Sequence, residues 1–235
     1  MKLKETDLYN PIRNLLTEQG FTVRGEVKGC DIVAVKGDIV WVVEMKLSAN
    51  ITLIYQAMDR KAATDWVFIA VPRPKGATRG TFLKLTKLVK KLQIGLITVA
   101  LDSPVKHAEI IVFPVGKDSK TNKRTAILKR EVAGRTVDTT GGATKTQINT
   151  AFRERSVQLA CLLEEKGVSS PKELIALGCA KDAAGTLYSN VLGWFKRVGR
   201  GMYELSELGS EYLNANASTS LIIYYRMKAK SIYNS

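Results

Sequence analysis

Residues 30–47 read C-D-I-V-A-V-K-G-D-I-V-W-V-V-E-M-K-L, two valine- and isoleucine-rich runs on either side of Gly37-Asp38. Glycine at the first central position of a two-residue turn suits the type II′ hairpin, whose twist matches that of the strands it joins. Such a turn pairs Lys36 with Ile39, and the rest of the register follows by counting outward. Val35 meets Val40, Val33 meets Val42, and Asp31 meets Glu44. Residues directly opposite in an antiparallel pair share a face with their Cβ atoms about 5 Å apart. Lys46, two residues beyond Glu44, is put on that face by the pleat.

Working outward, residues 5–19 carry Leu8, Ile12, Leu15 and Leu16 on one helical face and stop at Gly20, with Pro11 marking a kink or a later start. A strand over Phe21 to Glu26 precedes the hairpin. After it, a helix is predicted over 51–64 with Ile51, Ile54, Tyr55, Met58 and Ala62 as its apolar stripe. A strand W-V-F-I-A-V ends at Val71. A helix over about 79–93 opposes Leu85, Leu88, Val89 and Leu92 to Lys84, Lys87, Lys90 and Lys91, and two more strands follow. The segment 121–134 reads as a basic helix. Three successive strands and then alternating helices and strands make an α/β fold.

T-V-D-T-T-G-G-A-T-K-T from Thr136 reads as a linker, so the chain divides into a domain over 1–135, a linker over 136–147 and a smaller domain over 148–213. Helices are expected there at about 148–166, from Pro171, and at about 182–195, followed by a hairpin in K-R-V-G-R-G-M-Y-E-L-S. The tail, 214–235, contains L-I-I-Y-Y-R-M-K, for which the pattern assigns no structure.

The net charge of +14 points to a polyanionic partner, because phosphate binding then gains from counterion release. Residues 1–50 hold seven basic against seven acidic residues, and 51–100 hold nine against two. Cys30, Cys161 and Cys179 form neither a disulfide framework nor a zinc pattern. With no apolar run of membrane-spanning length and no secretory stretch at the N-terminus, a cytoplasmic protein without membrane contact is expected. The single histidine, His107, and the absence of G-x-S-x-G exclude a triad hydrolase. Cys30 reads as a small buried residue rather than a nucleophile.

Two opposed carboxylates repel unless a cation lies between them or one is protonated. A hard divalent ion fits: Mg²⁺ takes one or two carboxylates and keeps waters, leaving room for a phosphate and an attacking water. Lys46 would orient or deprotonate that water and offset charge developing on phosphorus. Glu5 lies on the apolar stripe of the first helix, where it adds a metal ligand or positions water, or serves only the helix dipole. Gln56 and Arg60, a turn apart on the next helix, stand where they could hold the scissile phosphate, or form an exposed polar face. Glu26 and Lys28 flank the hairpin entry, and Gly29 would let a nucleic-acid backbone come close.

Glu5, then G-E-V-K-G-C-D ending at Asp31, then V-V-E-M-K ending at Lys46, then Gln56 on the next helix resemble the PD-(D/E)XK nuclease superfamily. K-E-T-D-L-Y, Q-A-M-D-R and A-V-P-R-P resemble most closely a bacterial family of PD-(D/E)XK-type phosphodiesterases. The resemblance implies a restriction-endonuclease-like αβββαβ core, a mixed sheet flanked by helices, followed by a winged-helix-like domain. It implies Mg²⁺ on Asp31 and Glu44, a catalytic Lys46, and support from Glu5 and Gln56. G-W-F-K-R-V-G-R-G-M-Y-E-L-S looks like the last helix and wing of a winged helix, with Lys196, Arg197 and Arg200 available to phosphates. The expected activity is Mg²⁺-dependent (or Mn²⁺-dependent) hydrolysis of DNA phosphodiesters, in repair, restriction or defence. The alternative is an inactive nucleic-acid binder on the same scaffold. Since one site cuts one strand, a homodimer is plausible.

Overall fold

The computed structural model describes residues 3–74, 79–116, 122–142 and 149–233. It divides into two units, residues 1–149 and 150–235. The first runs α1 (Thr6–Glu18), β1 (Thr22–Val27), β2 (Cys30–Lys36), β3 (Ile39–Met45), α2 (Ile51–Arg60), β4 (Val67–Pro72), α3 (Arg79–Lys91), β5 (Gly95–Ala100), β6 (His107–Val112) and α4 (Lys123–Ala133). Its opening is the expected αβββαβ order. The six strands form one mixed sheet in chain order. β1, β2 and β3 pair antiparallel, β3, β4 and β5 pair parallel, and β6 returns antiparallel to β5.

Helices cover both faces, which is why β4 and β5 read as unbroken apolar runs rather than alternating ones. On one face, Leu8, Tyr9, Ile12 and Leu16 of α1 pack against Ile32, Ala34, Trp41, Val43 and Phe68. On the other, Leu53 and Ala57 of α2 and Val89 of α3 meet Val67, Ile69 and Leu96, while Leu128 and Val132 of α4 meet Val27, Val33, Val40 and Val42. Full burial of each Leu, Ile or Phe contributes about 1.5–3 kcal/mol, so these two layers supply most of what holds the sheet. Pro11 is accommodated inside α1 with its ring buried.

The β2–β3 hairpin has the derived register, Lys36 with Ile39, Val35 with Val40 and Val33 with Val42. Of its two turn residues only Gly37 has a positive φ, +57°, as a type II′ turn requires.

The stripe expected on α2 is corrected. Leu53 and Ala57 are the buried residues, whereas Ile51 is 81 % and Tyr55 71 % exposed. Apolar residues lie on several sides of this ten-residue helix, and the sheet, not helical periodicity, selects which side is covered. Asn50 sets the start, its side chain accepting from the Leu53 N–H at 2.9 Å as an N-cap does.

The stretch read as a linker is, as far as Gly142, held against the first unit. Asp138 accepts from Tyr9 Oη, from Arg13 Nε at 3.1 Å and from the Gly25 N–H at 3.0 Å. Arg135, buried, donates to the carbonyls of Gly25 (2.8 Å) and Glu26 (3.0 Å). β1 is an edge strand, and this strap satisfies the outward-facing backbone groups that an open edge leaves unpaired. The remainder of the expected linker, 143–147, lies outside the described residues.

The second unit runs α5 (Ala151–Lys166), α6 (Pro171–Ala176), α7 (Ala183–Ser189), β7 (Phe195–Gly199), β8 (Met202–Leu205), α8 (Glu207–Ala215) and α9 (Ser220–Tyr233). β7 and β8 form the expected hairpin, and Ser169, between α5 and α6, bridges antiparallel to Tyr203. The helix expected to 195 ends at Ser189. Asn190 turns left-handed (φ +43°) and its side-chain amide bonds both the N–H and the carbonyl of Phe195. The tail sequence L-I-I-Y-Y-R-M-K belongs to α9, which packs on α5; Ile222, Tyr225 and Ala229 are buried, and Tyr225 Oη donates to Glu154 at 2.8 Å. No described helix is long and apolar enough to cross a membrane.

Candidate active site

The paired register ends at Ile32 with Val43, and one further step by the same count sets Asp31 against Glu44, at the ends of β2 and β3 distal to the turn. Glu44 is fully buried. One of its oxygens, Oε1, accepts from Arg60 Nε at 2.6 Å, and the other, Oε2, is buried with no hydrogen-bond partner among the described residues. Asp31 Oδ2 accepts from the Met45 N–H at 2.7 Å, which pins the aspartate across the hairpin. Burial first, and the charge of Asp31 second, push the Glu44 carboxyl up to about 7 although Arg60 pulls it down. Burial raises Asp31 as well, against the Met45 N–H, a hydrogen bond within the pair to Glu44, and Lys46. The pair is thus strained toward sharing a proton, as two carboxylates in one dry site are.

Lys46 leaves the end of β3 and brings Nζ to 3.9 Å from Glu5 Oε1, just ahead of α1. Glu5 caps nothing: its side chain makes no N-cap hydrogen bond. Its contact with Lys46 is the reason for an acid on that stripe. Among the described residues no three His, Cys, Asp or Glu side chains gather at metal-holding distance. Asp31 and Glu44 are brought together, and Glu5 faces Lys46. Gln56 is half-buried a turn before Arg60 on α2. Arg60 is no exposed polar residue. Its Nη2 donates to the Gly29 carbonyl in the β1–β2 turn, whose other member, Lys28, is exposed at φ +52°.

The hard oxygen donors, the unpartnered Glu44 Oε2 and the repulsion within the pair fit a divalent cation with water completing its shell. Cys30 is buried beside the site with its thiol pushed up to about 12 by burial, which removes it as a nucleophile. His107 lies on β6, against Arg73.

One wall of the site was hidden in the sequence. A Cβ on Gly141 would lie 2.3 Å from the Asp31 carbonyl oxygen, and one on Gly25 would lie 2.0 Å from that of Thr139. Gly142 N–H donates to Glu26 Oε1 at 2.7 Å, turning that acid, from its left-handed backbone at φ +51°, toward the strap. The available signal was Gly25 inside a strand pattern, since such a glycine marks a close backbone approach.

In the second unit, Lys196 pairs across the hairpin with Glu204 at 3.0 Å. Arg197 and Arg200 are exposed, the former bonding the Gly199 carbonyl in its own turn.

A search of curated proteins and one of solved structures find no match to the chain. Residues 97–212 do match a family model, from β5 to α8, so the acidic pair and Lys46 precede the matched segment and rest on their own geometry. That match makes just under half of the chain similar to the family described as Putative PD-(D/E)XK phosphodiesterase (DUF2161), and the mixed αβββαβ sheet that presents the acid-x-Lys strand is consistent with a restriction-endonuclease-like core.

Proposed function

We propose that the protein is a divalent-metal-dependent nuclease that hydrolyses DNA phosphodiester bonds. The observation that carries this is the buried Asp31–Glu44 pair with one glutamate oxygen left without a partner, beside a lysine anchored by Glu5. Asp31 and Glu44 would hold Mg²⁺, or Mn²⁺ in its place. When bound, the cation supplies a more acidic water and a counter-charge for the phosphate. Lys46, tethered through Glu5, orients the attacking water and offsets the charge that builds on the phosphoryl oxygens. Glu5 acts through Lys46. Gln56, half-buried on α2, is positioned to hold water or a non-bridging oxygen, and Lys28, exposed in the β1–β2 turn, to meet the flanking backbone.

The second unit supports the nucleic-acid reading. We read its helix, bridge, helix, helix, hairpin order as a winged helix, in which Arg197 and Arg200 leave a basic hairpin available to phosphates, with Lys196 once released from Glu204. Two copies would cut both strands of a duplex, and we assign such an activity to the cytoplasm, in repair, restriction or defence. Arg60 on Glu44 also favours a second reading, a binder that does not cut, because a guanidinium already neutralises one carboxylate.

A cleavage panel separates the two. Purified protein is incubated with plasmid, linear, single-stranded and branched DNA and with RNA, in Mg²⁺, Mn²⁺ or EDTA. Cutting that needs the metal, and falls at least about a hundredfold in Asp31→Ala and Lys46→Ala, is the expected result. Salt-sensitive binding with no turnover would establish the binder instead, and cutting undiminished in both variants would remove the proposed site.

A further inference from the structure

Arg60 already sets a positive charge against Glu44, the fully buried member of the acidic pair. It is the last residue of α2, with Nε 2.6 Å from Glu44 Oε1 and Nη2 on the Gly29 carbonyl, while its third nitrogen, Nη1, makes no hydrogen bond among the described residues. Its side chain is 25 % exposed and that of Glu44 1 %. The guanidinium therefore stands between a buried anion and solvent. It cannot shed its charge, since arginine stays protonated in proteins, so a divalent cation approaching Glu44 meets a resident cation that must move. At a helix terminus it can swing without breaking a backbone hydrogen bond of α2.

Resting on the nuclease reading above, we propose that Arg60 is a gate that exchanges partners: it holds Glu44 while the site lacks cation and substrate, and passes to a phosphate oxygen of the nucleic acid when a divalent cation takes the carboxylate. The planar fork, with a nitrogen still uncommitted, suits a phosphodiester. Metal alone strands Arg60 without an anion, and nucleic acid alone finds it engaged by Glu44. Each ligand supplies what the other displaces, so the two bind cooperatively, and the coupling is reciprocal. The chemical consequence is a site that holds its metal weakly until a phosphate backbone is present.

The test titrates Mn²⁺ calorimetrically into the full chain carrying Lys46→Ala, so that nothing is cut, with and without a short DNA duplex. Expected is weak Mn²⁺ binding that tightens about tenfold with duplex. Adding Arg60→Met should tighten Mn²⁺ binding in the absence of duplex by about the same factor and abolish the effect of duplex. Arg60→Gln, which keeps a donor for the Gly29 carbonyl but no charge, should match Arg60→Met and guards against a variant that misfolds. If the Arg60 variants bind Mn²⁺ no more tightly than the parent, the gate is refuted while the metal site stands. If no Mn²⁺ binding depends on Glu44, as judged by Glu44→Gln, the gate and the metal-dependent reading fall together.

Discussion

At the scale of single residues the site trades stability for chemistry. Asp31 and Glu44 face each other because a type II′ turn at Gly37 dictates the count, and that geometry was legible before any coordinates, since a period of two admits no other partner once the turn is placed. What the residues could not announce was the environment: the full burial of Glu44, the Met45 N–H on Asp31 within the hairpin and the guanidinium of Arg60 from the next helix appear only once the elements pack. Glu44 is held at about 7 in the folded state, above its ordinary 4.5. A carboxyl raised on folding contributes its full stability below the unfolded value and loses it as pH rises through the folded one. The metal-free protein should accordingly lose stability between about pH 4.5 and 7 from this pair. Asp31→Asn keeps an oxygen for the Met45 N–H and removes the repulsion. We expect it to melt higher than the parent at pH 8 in EDTA, by about 1–2 kcal/mol or a few degrees, with the gain vanishing near pH 5 and cleavage lost at both. A variant equally or less stable than the parent at pH 8 would show that the carboxylates do not oppose each other in solution.

At the scale of elements the strands were readable and the packing was not. β1 to β5 fall where valine and isoleucine runs put them, because β-branched residues fill a sheet covered on both faces. α2 shows the limit: its apolar residues fit more than one stripe, and only the sheet decides that Leu53 and Ala57 are covered. The strap over Arg135 to Gly142 shows another. Threonine, aspartate and glycine are the composition of a free connection, yet Asp138 gathers Tyr9, Arg13 and the β1 edge while Gly141 lies on the Asp31 backbone. Burial and Asp138 together raise the Tyr9 hydroxyl well above the ordinary phenol range, so it remains the donor in that knot. Asp138→Ala leaves the Tyr9 hydroxyl and the Gly25 N–H without their acceptor and should cost about 2–4 kcal/mol in chemical denaturation. Gly141→Ala drives a methyl toward the Asp31 carbonyl, so it should reduce cleavage more than its loss of stability accounts for. If both variants unfold and cut like the parent, the strap is a passive connection and not a wall of the site.

At the scale of the whole chain the charge is unevenly shared. The first 149 residues hold 25 Lys or Arg against 14 Asp or Glu, and so carry most of the +14. In the second unit α7 reads A-A-G-T-L-Y-S, with no basic residue and with Tyr188 exposed, so a groove-reading helix there would draw its phosphate contacts from outside itself, from the β7–β8 hairpin and the exposed Lys181 ahead of α7. Long-range attraction therefore belongs mainly to the first unit. Within it, α3 presents Lys84, Lys87 and Lys91 along one exposed stripe, spaced three and four residues apart as neighbours on a helix face are. Lys61, the residue after Arg60, donates to the carbonyls of Leu92 and Gln93 just beyond α3 at 3.2 and 3.4 Å. That bond ties the residues just beyond the basic helix to the end of α2 from which Arg60 reaches Glu44. Each phosphate neutralised by a lysine contributes about 0.9 to the slope of log affinity against log salt. Replacing Lys84, Lys87 and Lys91 by alanine in the full chain should flatten that slope by about 2 to 3 and weaken binding alike for unrelated duplex sequences. Replacing Arg197 and Arg200 should remove less. A slope unchanged by the α3 triple variant would move the backbone track off this helix and leave its lysines as a solvated face.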